Sequence, residues 1–138
     1  MGNIINMQDM RYLNLFGKIT RVNTRFCFNY NQSLVFCVPK HLLSKAIGKG
    51  GQNIREINGI LRRKIKVVPM PQTIQDAENF IKSVVSPVTF RDLKINDDEM
   101  ILTAGTQNKA ALIGRDKRRF LEMKKIVKNY FGKEFRIM

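Results

Sequence analysis

The stretch that decides the fold is AIGKGGQNIREI, residues 46–57. Three glycines fall within four positions, Gly48, Gly50 and Gly51, with Lys49 between them. Apolar residues lead up to the break, and Ile54 and Ile57 resume helical spacing directly after it. Glycine is about 1 kcal/mol worse than alanine inside a helix. A chain that breaks with glycine and restarts at once is therefore turning a tight corner between two helices. The corner serves packing, or it serves a ligand. Without side chains, glycines let backbone N–H groups approach an anion closely. A helix starting near Gly51 adds the positive end of its dipole, and Lys49 sets a cation at the tip. A nucleotide-binding P-loop is excluded, because Gly50 rather than Ser or Thr follows Lys49 and no strand immediately precedes the loop.

Working outward, the chain contains this pattern twice. Shifted by 66, Ala46-Ile47-Gly48-Lys49 falls on Leu112-Ile113-Gly114-Arg115, and Leu34-Val35-Phe36 falls on Met100-Ile101-Leu102. Ile54, Ile57, Ile60 and Leu61 fall on Phe120, Met123, Ile126 and Val127. The register runs without a gap from about residue 24 to 61, which points to two copies of one unit.

Each copy reads as αββααβ. Unit one opens with a helix lined by Met10, Leu13, Phe16 and Gly17. A strand over 24–30 follows, with Phe26, Phe28 and Tyr30 expected on one buried face. Asn31, Gln32 and Ser33 turn the chain into a second strand, SLVFCV, which Pro39 ends. A short helix over 41–47, the glycine break, a helix over 52–61 and a strand over 64–68 complete the unit. Unit two gives a helix over 73–85, strands over 88–95 and 99–103, helices over 107–113 and 118–130, and a last strand over 134–138. Domains of 1–69 and 70–138 follow, joined at Pro69-Met70-Pro71. Two prolines in three residues make a stiff connector, and units this small are marginal alone, so the two are expected to pack together in a fixed orientation.

The chain has 138 residues, 25 Lys plus Arg against 11 Asp plus Glu, a net charge of +14 and 43% hydrophobic residues. That excess favours a polyanionic partner. It is uneven: residues 1–71 hold 12 basic and 2 acidic residues, residues 72–138 hold 13 and 9. The start of the chain does not read as a secretory signal, and no apolar run approaches a membrane span, so a soluble cytoplasmic protein is expected. His41 with Cys27 and Cys37 lacks a fourth zinc ligand, and no cofactor is indicated. With no nucleophile–base pair and no paired carboxylates, an enzyme is not expected.

The residues now carry a resemblance. Ile47-Gly48-Lys49-Gly50-Gly51, between two helices in this element order, resembles the GxxG loop of a KH domain. The N-terminal helix and C-terminal strand match the prokaryotic, type II version. Two such units resemble the tandem KH pair of the NusA transcription-factor family, and the short layout is similar to its archaeal members. The resemblance covers nearly the whole chain. It implies an α+β fold of two tandem type II KH domains, each a three-stranded mixed sheet packed on helices. It implies a non-catalytic factor that binds single-stranded RNA, such as a nascent transcript, in transcription elongation or termination, with RNA polymerase as a second partner. RNA binding in ribosome assembly or RNA processing is the alternative. A loop of this kind clamps the backbone of about four nucleotides. Bases would lie in a groove lined by Ile47, Ile54 and Arg55, with Gln52 and the second strand nearby.

The second copy departs from the pattern. It reads Gly114-Arg115-Asp116-Lys117, followed by Arg118 and Arg119. Only the first glycine survives. The Cβ of Lys117 restricts the turn, and Asp116 brings a negative charge to a phosphate's place. Gly114, Arg115, Lys117, Arg118 and Arg119 are expected to hold RNA through side chains, in a weaker or altered clamp; a solvated helix face is the competing reading. Arg62 and Arg63, with Lys64 and Lys66, form a further basic cluster, read as a phosphate track; for Arg62 alone a solvated helix end, whose cation suits the C-terminal dipole, is the favoured reading. Pairing Phe28 with Phe36 would set Cys27 opposite Cys37; a reducing cytosol favours two thiols over a strained cross-strand bond.

Overall fold

The computed structural model describes residues 7–138. The first unit ends at Gln72 and the second runs Thr73–Met138. Met70 donates its N–H to Val38 O at 2.7 Å, and Pro69 is the last residue of a strand, so the proline connector stays with unit one.

In unit one the elements are α1 (Met7–Thr20), β1 (Phe26–Tyr30), β2 (Ser33–Val38), α2 (Leu43–Ile47), α3 (Gln52–Leu61) and β3 (Lys64–Pro69). A 3-10 turn, Lys40–Leu42, leads into α2. Unit two repeats them as α4 (Ala77–Val85), β4 (Asp92–Ile95), β5 (Glu99–Thr103), α5 (Thr106–Ile113), α6 (Arg118–Phe131) and β6 (Glu134–Ile137). Each sheet has three strands, with orders β1-β2-β3 and β4-β5-β6. The first two strands are antiparallel, the last two parallel. The architecture is α+β, two mixed three-stranded sheets packed on helices.

The core of unit one explains the element order. Leu34, Phe36 and Val38, alternating along β2, share a face and meet Phe16, Val22, Ala46 and Ile57 from the helical side. Phe16 and Phe36 stack with ring centroids 4.2 Å apart. Leu13 packs in this face as expected, Met10 is 52% exposed, and Tyr12, Leu15 and Ile19 pack there as well. Thr20 closes α1 by donating from Oγ1 to Phe16 O at 2.7 Å.

The hairpin corrects one expectation. Tyr30 pairs with Ser33, so only Asn31 and Gln32 form the loop, with φ of 49° and 65°. Two consecutive positive φ values characterise the type I′ turn, whose twist suits a hairpin. Phe28 therefore faces Val35, Phe26 faces Cys37 and Cys27 faces Phe36. One residue of slip exchanges the faces of a strand. Cys27 joins the helix-side core, Cys37 lies on the opposite face, and Phe26, Phe28 and Tyr30 lie with it. Neither cysteine is in a disulfide. Burial, with Asp9 adding to it, pushes the Cys27 thiol up to about 12. At pH 8 its thiolate is then about one part in 10,000. The expected result is that the non-reduced folded protein carries two free thiols by mass. Cys27 should label with iodoacetamide only slowly, faster as pH rises; rapid labelling at pH 8 would contradict its burial.

The repeat carries one offset. In the sheets, Leu34 pairs with Ile65 and Met100 with Phe135, so the last strands correspond at a spacing of 70 rather than 66. The difference is one helical turn: α3 has 10 residues and α6 has 14. α3 ends on Arg62 at φ 54°, α6 on Gly132 at φ 67°. Among the described residues no helix is long and apolar enough to cross a membrane.

Candidate nucleic-acid interface

The glycine break is a 3-10 turn, Lys49–Gly51, wedged between α2 and α3. Gly48 has φ 81° and ψ 166°, a region essentially closed to other residues. A Cβ there would also lie 2.9 Å from Asn53 Cγ and Nδ2 and 3.0 Å from its backbone N. Gly50 (61°, 22°) and Gly51 (78°, 18°) are left-handed, a region open to other residues at a cost. A Cβ on Gly50 would meet nothing within 4 Å.

The second loop has the same backbone. Gly114 has φ 75° and ψ 172°, Asp116 has 56° and 28°, and Lys117 has 60° and 21°. Its hydrogen bonds match as well: Gly48 N–H to Ser44 O is repeated by Gly114 to Ala110, and Gly51 N–H to Gly48 O (3.1 Å) by Lys117 to Gly114 (3.2 Å). The expected restriction by the Lys117 Cβ does not distort the turn. Two non-glycine residues occupy its left-handed positions, while the first glycine, where both torsion and space exclude a side chain, stays.

Arg119 does not act as a loose cation. It corresponds to Asn53. Asn53 Nδ2 donates to Lys45 O at 3.2 Å and Ala46 O at 3.3 Å; Arg119 Nη1 donates to Ala111 O at 2.9 Å. Each side chain reaches back to carbonyls in the last turn of the preceding helix, the region where helix geometry leaves C=O groups without intrahelical donors. A Cβ on Gly114 would lie 2.9 Å from Arg119 Cγ. The sequence reading missed this role, although both residues stand five after the first glycine that the two loops share.

Lys49 is exposed at the tip of the first loop, as is Gln52 on the first turn of α3, and Ile47 and Ile54 are half-buried beside it. Arg55, exposed, donates from Nη1 to Gly50 O. Arg115, Lys117 and Arg118 are exposed around the second loop, with Asp116 among them. Arg62 and Arg63 lie elsewhere, at the far end of α3, about 15 Å along the axis from the loop. Arg63 is engaged there: Nη2 donates to Asn29 Oδ1 at 2.5 Å, Nη1 to Tyr12 Oη at 3.5 Å, and the guanidinium lies 5.8 Å from the Tyr12 ring centre. A hydrogen bond from Gln8, with Arg63 adding to it, holds the Tyr12 phenol below its ordinary range.

Beside the second loop lies a cleft of about 230 Å³ lined by Ile113, Lys117, Phe120, Arg136 and Ile137. Its strand wall is β6, the last strand of unit two. Parallel pairing puts β6 at the sheet edge, where Phe135 lies 6.0 Å from Phe120 between ring centres. Arg136 is held by Glu99, Nε to Oε2 at 3.1 Å and Nη2 to Oε1 at 3.0 Å. The corresponding residues of unit one are Ile47, Gly51 and Ile54 by the repeat, and Lys66 and Val67 by the sheet register. Where unit two has Glu99, unit one has Ser33.

No family model matches the chain. It is 26% identical over 114 residues to the probable transcription termination protein NusA of Methanococcus vannielii. The match takes in 80% of this chain and 64% of that protein, so the chain spans just under two-thirds of its relative's length. The crystal structure of APE1850 superimposes with a TM-score of 0.69 at 23% identity, covering 97% of this chain and 100% of that one. That likeness is one of fold. Across four-fifths of its length, this chain is similar to an archaeal NusA-like protein.

Proposed function

We propose that the chain is a non-catalytic, NusA-like factor that binds single-stranded RNA, such as a nascent transcript, through two tandem type II KH units, and acts in transcription elongation or termination. The observation that carries this reading is the loop Gly48–Gly51: an open, glycine-lined corner at the start of α3, tipped by Lys49, in the more basic half of the chain. A phosphate there meets backbone N–H groups, a helix dipole and a cation together. Bases extending from it reach the half-buried Ile47 and Ile54, where apolar contact and the backbone of the last strand select by shape. Unit two offers the same backbone with a carboxylate at its apex, so it is the weaker half of the clamp. The name of the curated relative supports the transcriptional role; RNA polymerase is the proposed second partner.

The test is fluorescence anisotropy with single-stranded and duplex RNA at two salt concentrations, comparing wild type with Lys49→Asp/Gly50→Asp. The variant will fold: Gly50 has open space, and unit two already holds Asp116 at the matching torsions. The expected result is a preference for single strands and loss of most binding in the variant. Equal binding by the variant, with all affinity collapsing in salt, would reduce the loop to a corner and the +14 charge to a nonspecific surface.

A further inference from the structure

We infer that Arg55 is a positioning residue, which holds the first loop in its binding shape from within the protein. This deepens the proposed function and rests on it. The Arg55 Nη1 donates to Gly50 O, spanning the left-handed pair from the first turn of α3. The same nitrogen lies 3.5 Å from where a Gly51 Cβ would stand, so the guanidinium covers the side of the loop that glycine leaves bare.

The need for such a brace follows from the composition of the loop. Gly50 and Gly51 supply the left-handed torsions without strain, but glycine also has the most conformations to lose. Two adjacent glycines at a tip, one of them with open space where a Cβ would stand, gain no side-chain packing that would restrict them. A binding loop that must first be ordered loses affinity by the ordering cost. A hydrogen bond from a charged donor to the carbonyl between the two glycines fixes that peptide plane. It also occupies an acceptor oxygen that would otherwise compete with phosphate for the same donors, and it leaves a positive charge beside the clamp.

Unit two is the internal contrast. The residue matching Arg55 is Leu121, which is 54% exposed and cannot donate. There the left-handed positions are held by Asp116 and Lys117, whose side chains already narrow the backbone's choices. The arginine stands where the glycines are, and is absent where they are absent.

The experiment pairs amide hydrogen exchange on the RNA-free protein with RNA anisotropy, for wild type, Arg55→Leu, Arg55→Lys and the Lys49→Asp/Gly50→Asp variant. Opening the loop breaks Gly51 N–H to Gly48 O and Gln52 N–H to Lys49 O, so these two amides report on it. Arg55→Leu is expected to speed their exchange about tenfold, the equivalent of one charge-assisted hydrogen bond, and to weaken RNA binding by a similar factor. Exchange in β2 should not change, which excludes a folding defect. Arg55→Lys, which keeps a donor, should recover most of the protection and the affinity. Unchanged Gly51 and Gln52 exchange in Arg55→Leu would overturn the inference, whatever the affinity; a loss of affinity with it would make Arg55 an RNA contact. If the loop-tip variant binds RNA normally, the clamp reading fails instead, while the exchange rates still decide the role of Arg55.

Discussion

Gly48→Ala should be the most damaging single substitution in the first loop, destabilising unit one by about 3 kcal/mol. Three effects add. The torsions of Gly48 (81°, 166°) lie in a region that residues with a Cβ essentially do not enter. The new methyl would also overlap Asn53, at 2.9 Å from two side-chain atoms and 3.0 Å from a backbone nitrogen. Relief requires Asn53 to swing away, and its bonds to Lys45 O and Ala46 O then leave the end of α2 unsatisfied. In a unit of this size the expected shift is a fall in Tm on the order of 10 °C or more, with RNA binding lost alongside. Gly50→Ala supplies the comparison. It has left-handed torsions and open space, so it should lose only about 1 kcal/mol. Equal losses at the two positions would show that the two glycines are not distinguished by the physics described above.

Asp116→Gly/Lys117→Gly should do the opposite in unit two. The pair hold φ of 56° and 60° in a turn that unit one makes with glycines. Left-handed backbone costs an L-residue about 1–2 kcal/mol, less for Asp than for Lys. Two new glycines return roughly half of this by loosening the unfolded chain. A net gain of about 1 kcal/mol, some 5 °C in the melting of unit two, is the expected outcome by calorimetry. RNA affinity should rise several-fold, because the apex loses the carboxylate that repels phosphate. The double change removes one charge of each sign, so the net charge stays at +14 and a gain cannot be credited to general attraction. A lower Tm with weaker binding would mean that the Lys117 side chain, which lines the adjacent cleft, contributes more than its strain removes.

The element order was legible because glycine and the apolar spacing both repeat. Phe36 and Leu102 fall at matching positions in sequence and are buried in matching strands. The hairpin register was not legible, because its decisive residues are Asn31-Gln32. Asparagine suits a left-handed position, but glutamine gives no signal for one, and a loop longer by one residue fits the same pattern. The bond of Arg119 to the helix end was not legible for a different reason. A charge run shows which residues are basic, not which of them turns inward to a helix end. Arg62 and Arg63 adjoin the loop's helix in sequence, yet the length of α3 carries them away from the loop.

The carbonyl bonds of Asn53 and Arg119 change what a searcher should look for in other chains. A pattern demanding glycine at both ends of the loop accepts unit one and rejects unit two, although their backbones coincide. The shared signature is shorter and more spread: one glycine, then five positions on a side chain that can donate back beneath it. Everything between these two points can drift by single substitutions without unmaking the turn, so after a duplication the loop's charge can diverge while its shape is kept.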